Sequence, residues 1–408
     1  MTIDVQPLSL ASLLHPEARA DPYPLYARMR ASEPVYWDEP MGFWVATRYA
    51  DALSILHDRR FMKAQGLEAA LNRLPESERD GARPVYAAFA KQMLYADPPY
   101  HTQLRGLVSK AFTPRMVDRM RAHIQQVVDG LLDAAEPAGR MDIIQQFAYP
   151  LPVIVILEML GLPRDERPQF KQWSDDFAAT IGVVRRSPQL FAKGRESLMS
   201  LTRYIGECYT RLKSQPQDDL LSALIAAEEQ GSNLSREELV ANTLLLLVAG
   251  HETTTNLIGN GLLALLRHPD QLQLLHDQPA LFGPAIEELL RYDNPVQLVW
   301  RYATEDVVVG GKQIRQGQIV NVMVGAADRD PEQFANPDTL DLTRAIQRHL
   351  GFGVGTHFCL GAPLARLEGE TALTTLLHRM PNLRLETDAL EWQENPTFRG
   401  LKALPVSF

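Results

Sequence analysis

Cysteine is scarce in this chain: Cys208 and Cys359 are the only two in 408 residues. One bridge between them is conceivable, but a reducing compartment is the better reading. Two cysteines also exclude a four-thiolate iron–sulfur cluster. Long apolar runs are missing as well. The longest near a helix, Leu244–Ala249, is far short of the ~20 residues that span a bilayer. Met1–Leu14 has no cationic stretch leading into a long apolar one, so no signal peptide is expected and the protein reads as cytoplasmic. Positive charge is in deficit, with 41 Lys and Arg against 50 Asp and Glu and a net charge of −9. That argues against nucleic acid as a main partner. No Gly/Ser linker, Pro-rich spacer or long charge run divides the chain, so residues 1–408 read as a single domain. No flavin-binding Gly-rich fingerprint is present.

Apolar residues make up 45% of the chain and charged ones 22%, enough for a packed core without disulfides. A helix is expected over Pro24–Ala31, with strands at Val35–Trp37 and Phe43–Val45. Residues 64–94 read as irregular or short helices carrying exposed apolar side chains. Helical pattern then runs from Asp97 to about Gln230, broken at Pro150, Pro163 and Pro188. A further helix spans Gly283–Tyr292. Strand signals come late: a hairpin over Asp306–Ile314 around Gly310-Gly311, a strand over Gln318–Val324, and short strands after Leu383. The fold class is mainly α with a small β region.

Four segments carry chemistry. The first is Phe352-Gly353-Val354-Gly355-Thr356-His357-Phe358-Cys359-Leu360-Gly361, followed by a helix. Its glycines permit tight backbone geometry, and a cysteine at a helix N-terminus is favoured as thiolate. The second is Ser235–Arg267, a long periodic run with a possible Ser235/Glu238 capping box. Its centre, Ala249-Gly250-His251-Glu252-Thr253-Thr254-Thr255, puts a carboxylate and hydroxyls into a Leu-rich helix. Such groups either mark a face emerging at the surface or a local opening of the helix. The third is Glu288-Leu289-Leu290-Arg291, an i,i+3 pair able to form a salt bridge. In the fourth, Asp97-Pro98-Pro99-Tyr100-His101-Thr102-Gln103-Leu104-Arg105, Asp97 suits an N-cap and Pro98 the first helical position. His101 and Arg105 share one face of that helix, as a binding pair or as a solvated polar stripe.

Together these motifs resemble the cytochrome P-450 family, specifically its soluble bacterial haem-thiolate monooxygenases. The matches run in family order from about residue 97 to 368. The resemblance implies the family fold, with a long central helix over haem b and Cys359 as the axial ligand of its iron. It implies that Phe352, Gly353 and Gly361 shape the cysteine loop and that Ala249 and Gly250 lie over the cofactor. His101, Arg105, Arg301 and His357 would hold its propionates. Thr253 would meet dioxygen and Glu252 would pass it protons. Glu288 and Arg291 would lock the segment beneath the haem. Their usual arginine partner is replaced here by Thr339, which Arg344 could offset. Asp328 replaces the family's asparagine.

By position, the substrate pocket would be lined by Phe89, Leu94, Leu245, Val248, Val296, Gln297, Val299 and Phe398. That wall is mostly apolar, so a hydrophobic substrate is expected; Gln297, the only clear polar handle, would bind a hydroxyl or carbonyl or merely satisfy backbone. The chain leaves no room for a fused reductase. Electrons would come ultimately from NAD(P)H through a ferredoxin or flavodoxin, which Lys110, Arg115, Arg119 and Arg121 could attract. The expected reaction is hydroxylation or epoxidation of a secondary metabolite such as a polyketide or terpenoid. The alternatives are a fatty acyl hydroxylase, a hydrogen-peroxide-driven peroxygenase, and a non-catalytic haem-thiolate binding protein.

Overall fold

The computed structural model describes residues 8–163, 167–181, 188–229 and 235–408. Its longest helix, Arg236–Arg267, has 32 residues, about 48 Å at ~1.5 Å per residue. The capping box forms: Ser235 Oγ accepts from the Glu238 N–H, and the Glu238 carboxylate accepts from the Ser235 N–H. Leu239–Val248 and Thr254–Leu265 are buried throughout. A helix apolar on all sides must run through the interior. The helices Pro150–Met159, Pro188–Ser214, Phe282–Tyr292 and Ala362–Arg379 pack around it. Pro150 and Pro188 each open a helix, where a missing N–H costs nothing.

Two expectations need correction. Residues 64–94, read as irregular or short helices, are largely helical, but their apolar side chains are not exposed. They form the helices Ala64–Asn72 and Glu76–Ala90, and Leu67, Leu71, Val85 and Phe89 are buried. The helix Pro188–Ser214 covers this face, a long-range partner that local sequence does not reveal. Asp97 does not cap the following helix, which starts only at Tyr100. Pro98 and Pro99 offer no N–H for it to accept. Its carboxylate accepts instead from the N–H groups of Lys63 and Ala64, at 2.7–3.0 Å.

The β part is small and peripheral. A five-stranded sheet has the order Val35–Asp38, Phe43–Ala46, Ile319–Val322, Val299–Ala303, Phe61–Met62. Only the Phe43–Ala46/Ile319–Val322 pairing is parallel. Antiparallel register sets Arg301 opposite Val320 and Met62 opposite Tyr302. The predicted hairpin pairs Val307–Val309 with Lys312–Ile314, and Gly310 and Gly311 supply the positive φ its tight turn needs. Pro405–Ser407 pairs with Arg140–Asp142 and Arg384–Leu385, closing the chain's end onto its middle.

The Glu288–Arg291 pair is buried and bidentate, at 2.7 and 2.8 Å. Arg344 fills the place left by Thr339: its Nε lies 3.1 Å from both Glu288 oxygens. Thr339 contributes its carbonyl, which accepts from Arg291 and Arg344. Arg291 also donates to the carbonyls of Asp328 and Pro337. The lock therefore ties four stretches of chain together. Asp328, in the asparagine position, accepts from the Leu350 N–H at 2.7 Å, and burial pushes its pKa up to about 6.

Immediately before Glu288, Glu287 accepts from Arg366 at 2.6 Å and contacts His349 at 3.2 Å. Burial alone would raise the Glu287 pKa, but the bonds from His349 and Arg366 outweigh it and bring it to about 2. A carboxylate with a depressed folded pKa stabilises the fold above its unfolded value near 4.3, and that stability is lost as pH falls through 2. Partial exposure leaves on the order of 1–2 kcal/mol. Glu287→Gln should therefore flatten the pH dependence of urea unfolding between about pH 4.5 and 2. An unchanged slope, followed by tryptophan fluorescence, would remove Glu287 from the acid limb.

Candidate active site

The cysteine loop is built from backbone constraints. Gly353 and Gly355 have φ of 67° and 65°, which side chains disfavour. The Cys359 N–H donates back to the Phe352 carbonyl at 2.8 Å, closing the loop. The helix Ala362–Arg379 starts immediately beyond, and the Gly361 and Ala362 N–H groups donate to the Cys359 sulfur. Burial pushes the thiol pKa up, while those N–H groups and the Arg105 and Arg366 guanidiniums oppose it. A Cβ on Gly361 would sit 3.9 Å from the sulfur, so the glycine keeps that flank open. Phe352 is fixed by the Arg366 guanidinium, 4.5 Å above its ring, and that guanidinium is held by Glu287.

Above one edge of this loop, cations converge. The His101 and His357 rings lie 4.4 Å apart. Arg105 donates to the Thr356 carbonyl. Arg301 is buried, and among the described residues its side chain's hydrogen bond is to the neighbouring Trp300 carbonyl. Lys63, which the sequence did not single out, is buried beside them. Burial, reinforced by Arg105 and Lys63, lowers the His101 pKa to about 4. Burial lowers Arg301 to about 10 and His357 far below its ordinary range. Asp97 is the nearby carboxylate, and it is committed to backbone N–H groups. His101 Nδ1 is buried without a hydrogen-bond partner among the described residues. Among the described residues this is a site short of anions, and two carboxylates would match its chemistry.

Ala249 is exposed although the central helix on both sides is buried. The helix stays continuous through this point rather than opening. The Thr253 and Thr254 hydroxyls donate to the Ala249 and Gly250 carbonyls at 2.9 and 3.0 Å. Gly250 turns away: a Cβ there would meet Ile156 at 3.4 Å, so its role is close helix packing.

Glu252 is half-buried, and burial raises its pKa, opposed by His251 and reinforced by Asp175. Asn256 donates to it at 3.4 Å. Lys171, Ser174 and Asp175, on the helix Arg167–Ala178, approach from outside. Lys171 pairs with the exposed Asp175 at 3.1 Å, and Ser174 meets His251 Nε2 at 3.0 Å. Asp175, His251 and Glu252 have ligand-type atoms within 4.8 Å of one another. Both His251 nitrogens are nevertheless occupied, by Ser174 and the Leu247 carbonyl, and Lys171 offsets Asp175. The cluster suits proton exchange better than metal. Nothing in the sequence links residues 171–175 to 252; only folding does.

Leu245 and Val248 are buried on the central helix. Phe89 sits in an aromatic group with Tyr95 at 4.8 Å and Phe177 at 5.4 Å. Leu94, Val296, Val299 and Phe398 are half-buried, and Val296 bridges to Phe398. Gln297 turns to the scaffold: its amide donates to the Asn294 carbonyl at 2.6 Å, and a Cβ on Gly325 would strike its Oε1. Arg115, Arg119 and Arg121 are exposed, Arg121 near Asp118, while the Lys110 side chain lies outside the described residues.

Among the described residues, no helix is long and apolar enough to cross a membrane. The family model described as Cytochrome P450 matches residues 60–278 and 281–398. The chain is 42% identical to the cytochrome P450 monooxygenase PikC of Streptomyces venezuelae, covering 95% of this chain and 91% of that one. It is 39% identical to the polyketide biosynthesis cytochrome P450 PksS of Bacillus subtilis, covering 97% and 98%. The solved structure of P450BioI in complex with hexadec-9Z-enoic acid ligated acyl carrier protein matches with a TM-score of 0.89 at 38% identity, over 96% of this chain and 99% of that one. By this family match and these identities, the chain belongs to the cytochrome P450 family of haem monooxygenases.

Proposed function

We propose that the protein inserts one atom of O2 into a C–H bond, or across a double bond, of a bulky hydrophobic secondary metabolite such as a polyketide or terpenoid. The second oxygen atom leaves as water, with two protons from solvent and two electrons from NAD(P)H through a ferredoxin or flavodoxin. The observation that carries this reading is the exposed Ala249 with Glu252 and Thr253 following it on a helix whose Leu245 and Val248 are buried. Haem bound through Cys359 supplies the redox chemistry that cleaves the O–O bond. The protein supplies placement and protons. Burial raises the Glu252 pKa, so the carboxyl holds a proton more readily than an exposed one and can hand it inward. The Lys171–Asp175 pair connects that region with solvent. Thr253 already donates to the Ala249 carbonyl, and rotation about χ1 would present the hydroxyl to dioxygen instead.

Apolar lining and the identity to PksS support the polyketide assignment. A fatty acyl substrate is the second reading, favoured by the likeness to the acyl-carrier-protein complex of P450BioI. Ferric absorption spectra recorded with a panel of macrolides, terpenoids, free fatty acids and acyl carrier protein thioesters separate them. A shift to high spin only with acyl chains would replace the polyketide reading. Turnover with hydrogen peroxide alone, as fast as with a reductase, would favour a peroxygenase.

Thr253→Ala is expected to keep haem and substrate binding while product formed per electron falls about tenfold or more, given what one positioned proton donor contributes. Hydrogen peroxide should rise in step. Undiminished coupling would take Thr253 out of the proton path.

A further inference from the structure

Lys63 follows the edge strand Phe61–Met62 and is 6% exposed. A lysine this buried ordinarily has an anionic partner, because desolvating an unpaired ammonium is expensive. Here it has none among the described residues. Its Nζ lies 5.6 Å from the centroid of the Tyr95 ring, a contact that offsets only part of the loss. Asp97 is close by, but its carboxylate accepts from the backbone N–H groups of Lys63 and Ala64. That bonding fixes the backbone from which the side chain extends. The strand pairing places Met62 opposite Tyr302, one residue from Arg301. Of the remaining neighbours, Arg301 repels a positive charge, and the imidazoles of His101 and His357, kept neutral by burial, cannot balance one. Burial, with Arg301 adding to it, lowers the Lys63 pKa far below that of a free lysine, and Asp97 only partly opposes this.

We propose that Lys63 is a further haem-positioning residue, its ammonium pairing with a porphyrin carboxylate alongside Arg301. The inference rests on haem binding at Cys359. Two guanidiniums, two imidazoles and an amine then face two carboxylates, and the buried charge of Lys63 is balanced by the cofactor rather than by protein. Positive charge held at the porphyrin edge also favours the reduced iron.

The test uses the holoprotein and two variants, Lys63→Met, which keeps the apolar stem, and Lys63→Arg, which keeps the charge. Haem transfer to excess apomyoglobin and the ferric/ferrous midpoint potential are measured for each. Lys63→Met should lose haem about ten- to a hundredfold faster, the loss of one charge-assisted contact, and its potential should move to a more negative value. Lys63→Arg should restore both towards the parent. Parent-like release and potential in Lys63→Met would overturn the inference while leaving haem binding intact. Equal loss in both variants would also overturn it, by assigning Lys63 a packing role. A parent protein that takes up no haem would sink the haem assignment itself.

Discussion

Cys359→Ser is expected to abolish the strongly red-shifted Soret band of the reduced, carbon-monoxide-bound protein and all monooxygenase activity with it. The Gly361 and Ala362 N–H groups that stabilise negative sulfur would face a hydroxyl that stays neutral at working pH. The electron push of a thiolate would be gone. The loop itself should survive, because Cys359 is held through its backbone N–H to Phe352 and its glycines are untouched. Circular dichroism should therefore be unchanged. Cys208→Ser is the control: that residue is buried on the helix Pro188–Ser214, outside the cysteine loop, and its loss should leave the spectrum intact. A red-shifted band persisting in Cys359→Ser would overturn the ligand assignment.

The second large effect is on stability. Glu288→Ala should leave the protein largely unfolded or melting many degrees lower. Glu288 holds two arginines whose side chains are only 2% and 12% exposed. Removing one partner of a buried pair costs about 3–5 kcal/mol, against a total stability of about 5–15 kcal/mol. Arg344→Ala should be milder, since Glu288 keeps its bidentate partner Arg291. Differential scanning fluorimetry of both variants measures the order of effects. A melting temperature for Glu288→Ala within about 2 °C of the parent, less than ~1 kcal/mol for a chain of this size, would mean the lock contributes little.

Much of this architecture was legible in the sequence. The long helix was readable because Ser235 and Glu238 mark its start and leucines recur through it. The Gly310-Gly311 hairpin was readable because its turn demands positive φ. The cysteine loop was readable because three glycines, a cysteine and a following helix form one local device. Features that depend on residues distant in sequence were not readable. The packing that hides Val85 and Phe89 comes from a helix a hundred residues later. Asp97 looked like a helix cap because its local context suits one, but the N–H groups it binds are at Lys63 and Ala64. Gln297 stood open by position between a polar handle and a group satisfying backbone, and only the fold shows its amide nitrogen donating to the Asn294 carbonyl. Lys63 and the Lys171–Asp175 pair gave no local signal, since a lysine's burial or a carboxylate's neighbours are set by the tertiary fold.

The Glu288 lock also bears on how this region comes apart. One carboxylate, through Arg291 and Arg344, gathers residues 328, 337–339 and 344 onto the helix Phe282–Tyr292. None of these stretches can leave without breaking bonds shared with the others, so they open as one cooperative unit.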